Sequence, residues 1–145
     1  MSAQSRADAP VGVVVVTHTD YGTQLIAAAE FILGPQDHCR AVSVDLTHEV
    51  DQVLSSLKHA IKETDQGSGV LVLTDMFGGT PTNMSLSLLG SGRLEVLTGV
   101  NLPMLIKILG SRTTPLETLA TEAKQAGCQG IVVAGEVLRK KVAEG

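Results

Sequence analysis

A histidine at the end of one strand and a carboxylate at the end of another can together carry a covalent group, and His18 and Asp75 fit that description. His18 comes just after the β-branched run Val11-Gly-Val-Val-Val-Val16, and Asp75 directly after Gly69-Val-Leu-Val-Leu-Thr74. An imidazole beside a carboxylate donates a hydrogen bond from one ring nitrogen, which fixes the tautomer and leaves the other nitrogen as a nucleophile. Gly78-Gly79-Thr80 ahead of Pro81 adds the free backbone N–H groups of a helix N-terminus, where the macrodipole favours an anion. The chemistry these residues suit is a phosphoryl group on the His18 ring, held against Gly78, Gly79 and Thr80.

Singly, each residue has a plainer reading. A histidine after a strand is more often a surface or satisfied residue, an aspartate there is more often a cap, and Gly-Gly-Thr-Pro is a common turn before a helix. The conjunction shifts the weight toward chemistry. The remaining histidines lack it: His38 follows the polar Gln36-Asp37, His48 precedes a helix in its cap region, and His59 sits in a helix between Lys58 and Ala60. All three read as structural or solvent-facing.

The elements that must position the pair alternate along the chain. Val11–Val16 is continuously apolar, the pattern of a strand covered on both faces, and apolar residues from Leu25 to Leu33 recur at helical spacing before Gly34-Pro35. Ala41–Asp45 reads as a second strand, followed by a helix with its buried stripe at Val50, Val53, Leu54, Leu57, Ala60 and Ile61. Gly69–Thr74 is a third strand; Pro81 opens a helix that runs before Gly90, and Leu94–Leu97 is a fourth strand ahead of a helix over Met104–Leu109. Pro115 opens an amphipathic helix ended by Gly127, Gly130–Ala134 reads as a last strand, and Val137–Val142 as a short terminal helix. Residues 1–10 read as a flexible tail, and 11–145 as one domain. The alternation predicts an α/β fold with an open, mostly parallel, doubly wound sheet and helices on both faces. In such folds reacting groups gather outside the carboxyl ends of the strands, where His18 and Asp75 both lie.

Composition narrows the function further. At 145 residues, 43% hydrophobic and 18% charged, the chain suits a single globular domain. A formal charge of −4 and only three aromatic residues, Tyr21, Phe31 and Phe77, exclude the basic surface and stacking platform of a nucleic-acid binder. No apolar run approaches the ~20 residues of a membrane span, and no signal peptide precedes Pro10. Cys39 and Cys128 have no CxxC spacing, which argues for a reduced, cytoplasmic setting and against a disulfide or zinc framework. The runner-up of a different class, a flavodoxin-like module for nucleotide or flavin, lacks both Gly-rich fingerprints. No cofactor and no metal are expected.

Three segments together resemble a known family. They are Val13-Val-Val-Val-Thr-His18 with Gly22 beyond, Leu73-Thr-Asp-Met-Phe-Gly-Gly-Thr-Pro-Thr-Asn83, and Thr98-Gly-Val-Asn-Leu-Pro-Met-Leu105. The resemblance, from about Val11 to Ala134, is to the IIA domain of the mannose/fructose/sorbose class of the phosphoenolpyruvate-dependent sugar phosphotransferase system (PTS). It implies that His18 takes phosphate from phospho-HPr and passes it to a IIB component, here a separate chain, while Asp75 orients the ring and Thr80 lies near the phosphate. Phe77 stands where some members carry Trp. It also implies a homodimer in which Gly130–Ala134 is exchanged between subunits, with the membrane reached only through IIC and IID components. A regulatory phosphoprotein, or a phosphodonor subunit of a dihydroxyacetone kinase, would use the same His18 chemistry.

Overall fold

The computed structural model describes residues 9–45, 47–90 and 92–144. Most of the expected tail, residues 1–8, lies outside the described residues. Four strands, β1 (Gly12–His18), β2 (Cys39–Val44), β3 (Val70–Thr74) and β4 (Leu94–Thr98), form one parallel sheet in the order β2-β1-β3-β4. The helices are α1 (Tyr21–Leu33), α2 (Val50–Thr64), α3 (Thr80–Leu86), α4 (Leu102–Leu109), α5 (Leu116–Gln129) and α6 (Ala134–Glu144).

Period-2 alternation in β1 and β3 divides the core in two. Val13, Val15, Leu71 and Leu73 face α1, α4 and α5 through Ile26, Ala29, Leu105, Ile108, Leu119 and Ala123. Val14, Val16, Val70 and Val72 face α2 and α3 through Val53, Leu57, Ala60 and Met84. A strand buried on both faces needs no polar alternation, so these runs read as continuous Val and Leu. β2 and β4 are the edges, and every residue of β4 is half-buried.

Polar groups close the ends of the sheet. At the amino end, Arg112 donates from Nε to the Val11 carbonyl at 2.9 Å, from one terminal nitrogen to the His38 carbonyl at 2.8 Å, and from the other to the Asp37 carbonyl. At the carboxyl end, the Val100 amide donates to the Thr74 carbonyl at 3.0 Å. Asn101 accepts from the Met104 amide and donates to the Gly127 carbonyl, both at 3.0 Å, so one side chain caps α4 and ties it to α5. The third family-like segment therefore braces the carboxyl end of β3 and caps α4.

Element order follows the sequence expectation, with two corrected boundaries and one segment that forms no strand within its own chain. Gly127 does not end its helix, which continues to Gln129. Thr80 rather than Pro81 is the first residue of α3. Gly130–Ala134 is not a strand of this sheet: Gly130 caps α5, Ile131–Val133 pair with no strand among the described residues, and Ala134 begins α6. The segment has the apolar β-branched composition of a strand, but in its own chain it meets no open edge, and a strand exists only by pairing.

Both halves of the core are needed to cover the sheet. Leu57→Ala on one side and Leu119→Ala on the other, each at a fully buried position, should each lower unfolding free energy by about 2–5 kcal/mol in urea titrations.

Candidate active site

β1 and β3 are parallel neighbours with Val16 paired to Thr74, so His18, the last residue of β1, and Asp75, the first after β3, emerge side by side. From there the chain diverges: β1 leads to β2 on one side, and β3 to β4 on the other. The pair thus sits at the point where the winding direction reverses, the crevice in which open α/β sheets place their ligands.

The contact is direct. His18 Nδ1 lies 2.8 Å from Asp75 Oδ2, and the His18 amide donates to the same oxygen at 2.9 Å. With an ionised carboxylate as acceptor, Nδ1 carries the proton and Nε2 keeps its lone pair. The Asp75 side chain is 9% exposed and the imidazole 45%, so a buried carboxylate holds a ring that is open to solvent. Oδ1 of Asp75 is buried and has no partner among the described residues.

Behind the pair, the hydroxyls of Thr74 and Thr82 meet at 2.6 Å, and Thr82 donates to the Met76 carbonyl at 2.6 Å, fastening α3 across the turn that follows Asp75. Gly78 takes a positive φ of 87°, a conformation that L side chains rarely adopt. Gly79 packs beneath the imidazole: a Cβ there would stand 2.8 Å from His18 Cε1 and 3.3 Å from Nε2. Gly79 also caps α3 in an extended conformation with no side-chain cap. Of the residues singled out in the sequence, His18, Asp75 and Gly79 are thus together, Gly78 shapes the turn between them, and Thr80 opens α3 with an exposed side chain.

Sequence reasoning missed Tyr21. Its hydroxyl donates to Asp75 Oδ2 at 2.7 Å, making a third donor on that oxygen. The available signal was its position three residues past His18, where a strand-end turn brings a side chain back over the site. Burial raises the Asp75 carboxyl, but the His18 amide, the His18 ring and the Tyr21 hydroxyl outweigh it and hold it below its ordinary value. Burial, then Asp75 itself, pushes the Tyr21 phenol up to about 12.

The other histidines are also partnered, though differently. His48 meets Asp45 at 2.9 Å and His59 meets Glu63 at 3.1 Å, both local pairs on the surface, with ring exposures of 57% and 72%. His38 lies at a positive φ of 53° beside Gln66. None has a buried carboxylate from another strand. Cavities of about 360 Å³ beside Arg40 and His59 and about 310 Å³ beside Lys58 and Arg93 do not include His18, which stands on open surface. Among the described residues, no group of three or more His, Cys, Asp or Glu is placed to hold a metal, and no helix is long and apolar enough to cross a membrane.

The chain around this site is matched by a family model. The EIIA-man model, described as PTS system fructose IIA component, matches residues 12–124. The chain belongs to the EIIA-man family. The PTS system fructose-specific EIIA component of Bacillus subtilis (strain 168) is 29% identical over 132 residues, which cover 90% of each chain. The PTS system mannose-specific EIIAB component of Escherichia coli (strain K12) is 28% identical over 124 residues, covering 83% of this chain and 38% of that longer one. Among solved structures, component EIIA from Streptococcus agalactiae aligns with a TM-score of 0.79 at 26% identity, over 87% of this chain and 98% of that one. The mannose/sorbose-specific IIA subunit from Enterococcus faecalis aligns at 0.78 and 25%, over 86% and 95%.

For this EIIA-man chain the contact at Gly79 gives a direct test. Gly79→Ala should push the imidazole off Asp75, seen by NMR as loss of the protected Nδ1 proton, while the cooperative unfolding transition persists. The charge state gives another. Because the folded Asp75 carboxyl lies below its ordinary value of 3.8, its contribution to stability is present above that value and disappears as pH falls through the folded one. Asp75→Asn should therefore flatten the acid side of stability against pH in denaturant titrations.

Proposed function

We propose that this protein is a phosphoryl carrier of a sugar phosphotransferase system, taking the group on Nε2 of His18 from phospho-HPr and giving it to a separate IIB component. The observation that carries this reading is the 2.8 Å contact between His18 Nδ1 and the buried Asp75 carboxylate. It commits one ring nitrogen as donor and leaves the other free on an exposed edge, which suits transfer between two macromolecules. Asp75 orients the ring and balances the positive charge that develops on it as Nε2 bonds to phosphorus. Gly78, Gly79 and Thr80 are the groups that would meet the phosphoryl oxygens, with backbone amides as donors.

Exposed Met76 and Phe77 follow Asp75, and with Tyr21 they give the site an apolar border on which a partner protein can seat. The reaction takes place in the cytoplasm in this reading, and the membrane is reached only through the IIC and IID components.

A homodimer belongs to the same reading. Ile131, Val132 and Val133 are 77%, 62% and 61% exposed, and α6 buries none of its residues in its own chain. An apolar β-branched segment of this kind is covered if it completes the sheet of a second copy, whose β4 edge is open.

Incubation with phosphoenolpyruvate, enzyme I and HPr should label the protein with an acid-labile, base-stable phosphate. His18→Ala should abolish the label, whereas His38→Ala, His48→Ala and His59→Ala should retain it; a labelled His18→Ala protein overturns the assignment. Asp75→Asn should stay folded and slow transfer by ~10² to 10⁴. Removal of everything after Gly130 should turn a dimer into a monomer in sedimentation, and a full-length monomer at micromolar concentration would refute the exchange.

A further inference from the structure

Tyr21 belongs neither to the His–Asp pair nor to the glycine turn, yet its hydroxyl reaches Asp75 Oδ2, the oxygen that also receives the His18 ring. The approach is built into the backbone. Thr19 holds a positive φ of 56°, a strained conformation for a β-branched residue. Its amide donates to the Val44 carbonyl at 2.8 Å, and its carbonyl accepts from the Thr17 hydroxyl at 2.9 Å. Thr17 in turn accepts from the Gly22 amide at 3.2 Å, so hydrogen bonds hold the chain on both sides of Tyr21. This turn brings a half-exposed phenol back over a carboxylate that already has two donors.

We propose that Tyr21 is a positioning residue that keeps the shared proton on His18 Nδ1 rather than on Asp75, and so sets how readily phosphorylated His18 gives up its phosphoryl group. This rests on the carrier reading above. In the loading step the Nε2 lone pair attacks phosphorus, and the bond to the donor breaks with its electron pair leaving on the donor. The ring is then a phosphoimidazolium that still holds the Nδ1 proton against the Asp75 carboxylate. In the unloading step the acceptor's lone pair attacks phosphorus and the Nε2–P pair returns to Nε2. If the Nδ1 proton crosses to Oδ2, the ring becomes neutral and Nε2 is the poorer leaving group.

A hydrogen bond donated to Oδ2 lowers the basicity of that oxygen and opposes the crossing. Three donors converge on it, and Tyr21 is the one that does not belong to His18 itself. With its own ionisation pushed up to about 12, first by burial and then by Asp75, the phenol stays a donor at any pH where the carrier works. The titratable groups facing Asp75 are His18 from β1 and Tyr21 from α1. Asp20, close in sequence, is engaged by the Thr23 and Ser43 hydroxyls, and from the β4–α4 turn the uncharged Val100 donates its amide to the Thr74 carbonyl.

Tyr21→Phe keeps the ring and removes the donor. The full-length wild type and variant are phosphorylated with phosphoenolpyruvate, enzyme I and HPr, freed of donor, and followed for loss of phosphate against pH. The variant should hold its phosphate about threefold to tenfold longer near neutral pH, the range of an ordinary hydrogen bond rather than of a buried one to a charged group, because Tyr21 is half exposed. The Asp75 carboxyl, followed by carbon NMR in the unphosphorylated protein, should titrate about half to one pH unit higher. In an Asp75→Asn background, Tyr21→Phe should add nothing further. An unchanged phosphate lifetime, an unshifted carboxyl, or an equal effect in Asp75→Asn would each overturn the proposal. A wild type that takes no phosphate fails the carrier reading instead, and the carboxyl titration still reports whether Tyr21 acts on Asp75.

Discussion

One oxygen, Oδ2 of Asp75, accepts from the His18 amide, the His18 ring and the Tyr21 hydroxyl, and the rest of the site depends on it. The donors come from the end of β1 and the start of α1, whereas the carboxylate follows β3. The bonds therefore join two strands beyond the last rung of their ladder, at the place where the chain leaves in opposite directions. In water three donors would gain little from one carboxylate. In a site where the acid is 9% exposed, the same bonds offset its desolvation, which is why the carboxyl is held below its ordinary value despite burial.

That arrangement requires a rigid base. β1 and β3 are the inner strands, and Val13–Val16 and Val70–Leu73 are all at 0% exposure. Closely packed interiors resist displacement, so the two strand ends hold their positions relative to one another. Hydrogen bonds then fix what packing cannot. Thr74, Thr82 and the Met76 carbonyl hold the turn after β3, and Val44 and Thr17 hold the one after β1. The strained φ at Thr19 and the positive φ at Gly78 fall in these turns, the only parts of the site that regular structure does not dictate.

Much of this was legible in the residues. The Val and Leu runs announced strands buried on both faces, and helical spacing marked α1, α2 and α5, because burial is recorded in periodicity; α3 was signalled by Pro81 instead, and α6 buries nothing in its own chain. His18 and Asp75 were found by being polar directly after such runs. Tyr21 was not, since a tyrosine near a turn has no periodic signature, and its role depends on a backbone kink at Thr19 that a β-branched residue gives no reason to expect. Arg112 escaped for a related reason: its three carbonyl acceptors lie at Val11, Asp37 and His38, far away in the chain. Gly130–Ala134 shows the opposite limit. Its composition is that of a strand, but composition specifies what a segment can pair with, not whether the pairing edge belongs to the same chain.

The openness of the site follows from the same constraints. A pocket that encloses a small substrate is built from walls, and the carboxyl end of this sheet offers few: the turns after β1 and β3 are short and are drawn inward onto Asp75. What remains is one imidazole edge, nearly half exposed and bordered by Met76, Phe77 and Tyr21, while the cavities beside Arg40 and Lys58 leave it out. A reactive group so exposed gains no water exclusion from its own chain. If His18 is the nucleophile proposed above, exclusion has to come from whatever covers it, and its apolar border of Met76, Phe77 and Tyr21 suits another protein. On the proposed carrier reading, the buried carboxylate would keep the ring aimed between such encounters, so that each partner would meet the same nitrogen in the same orientation without any lid having to move.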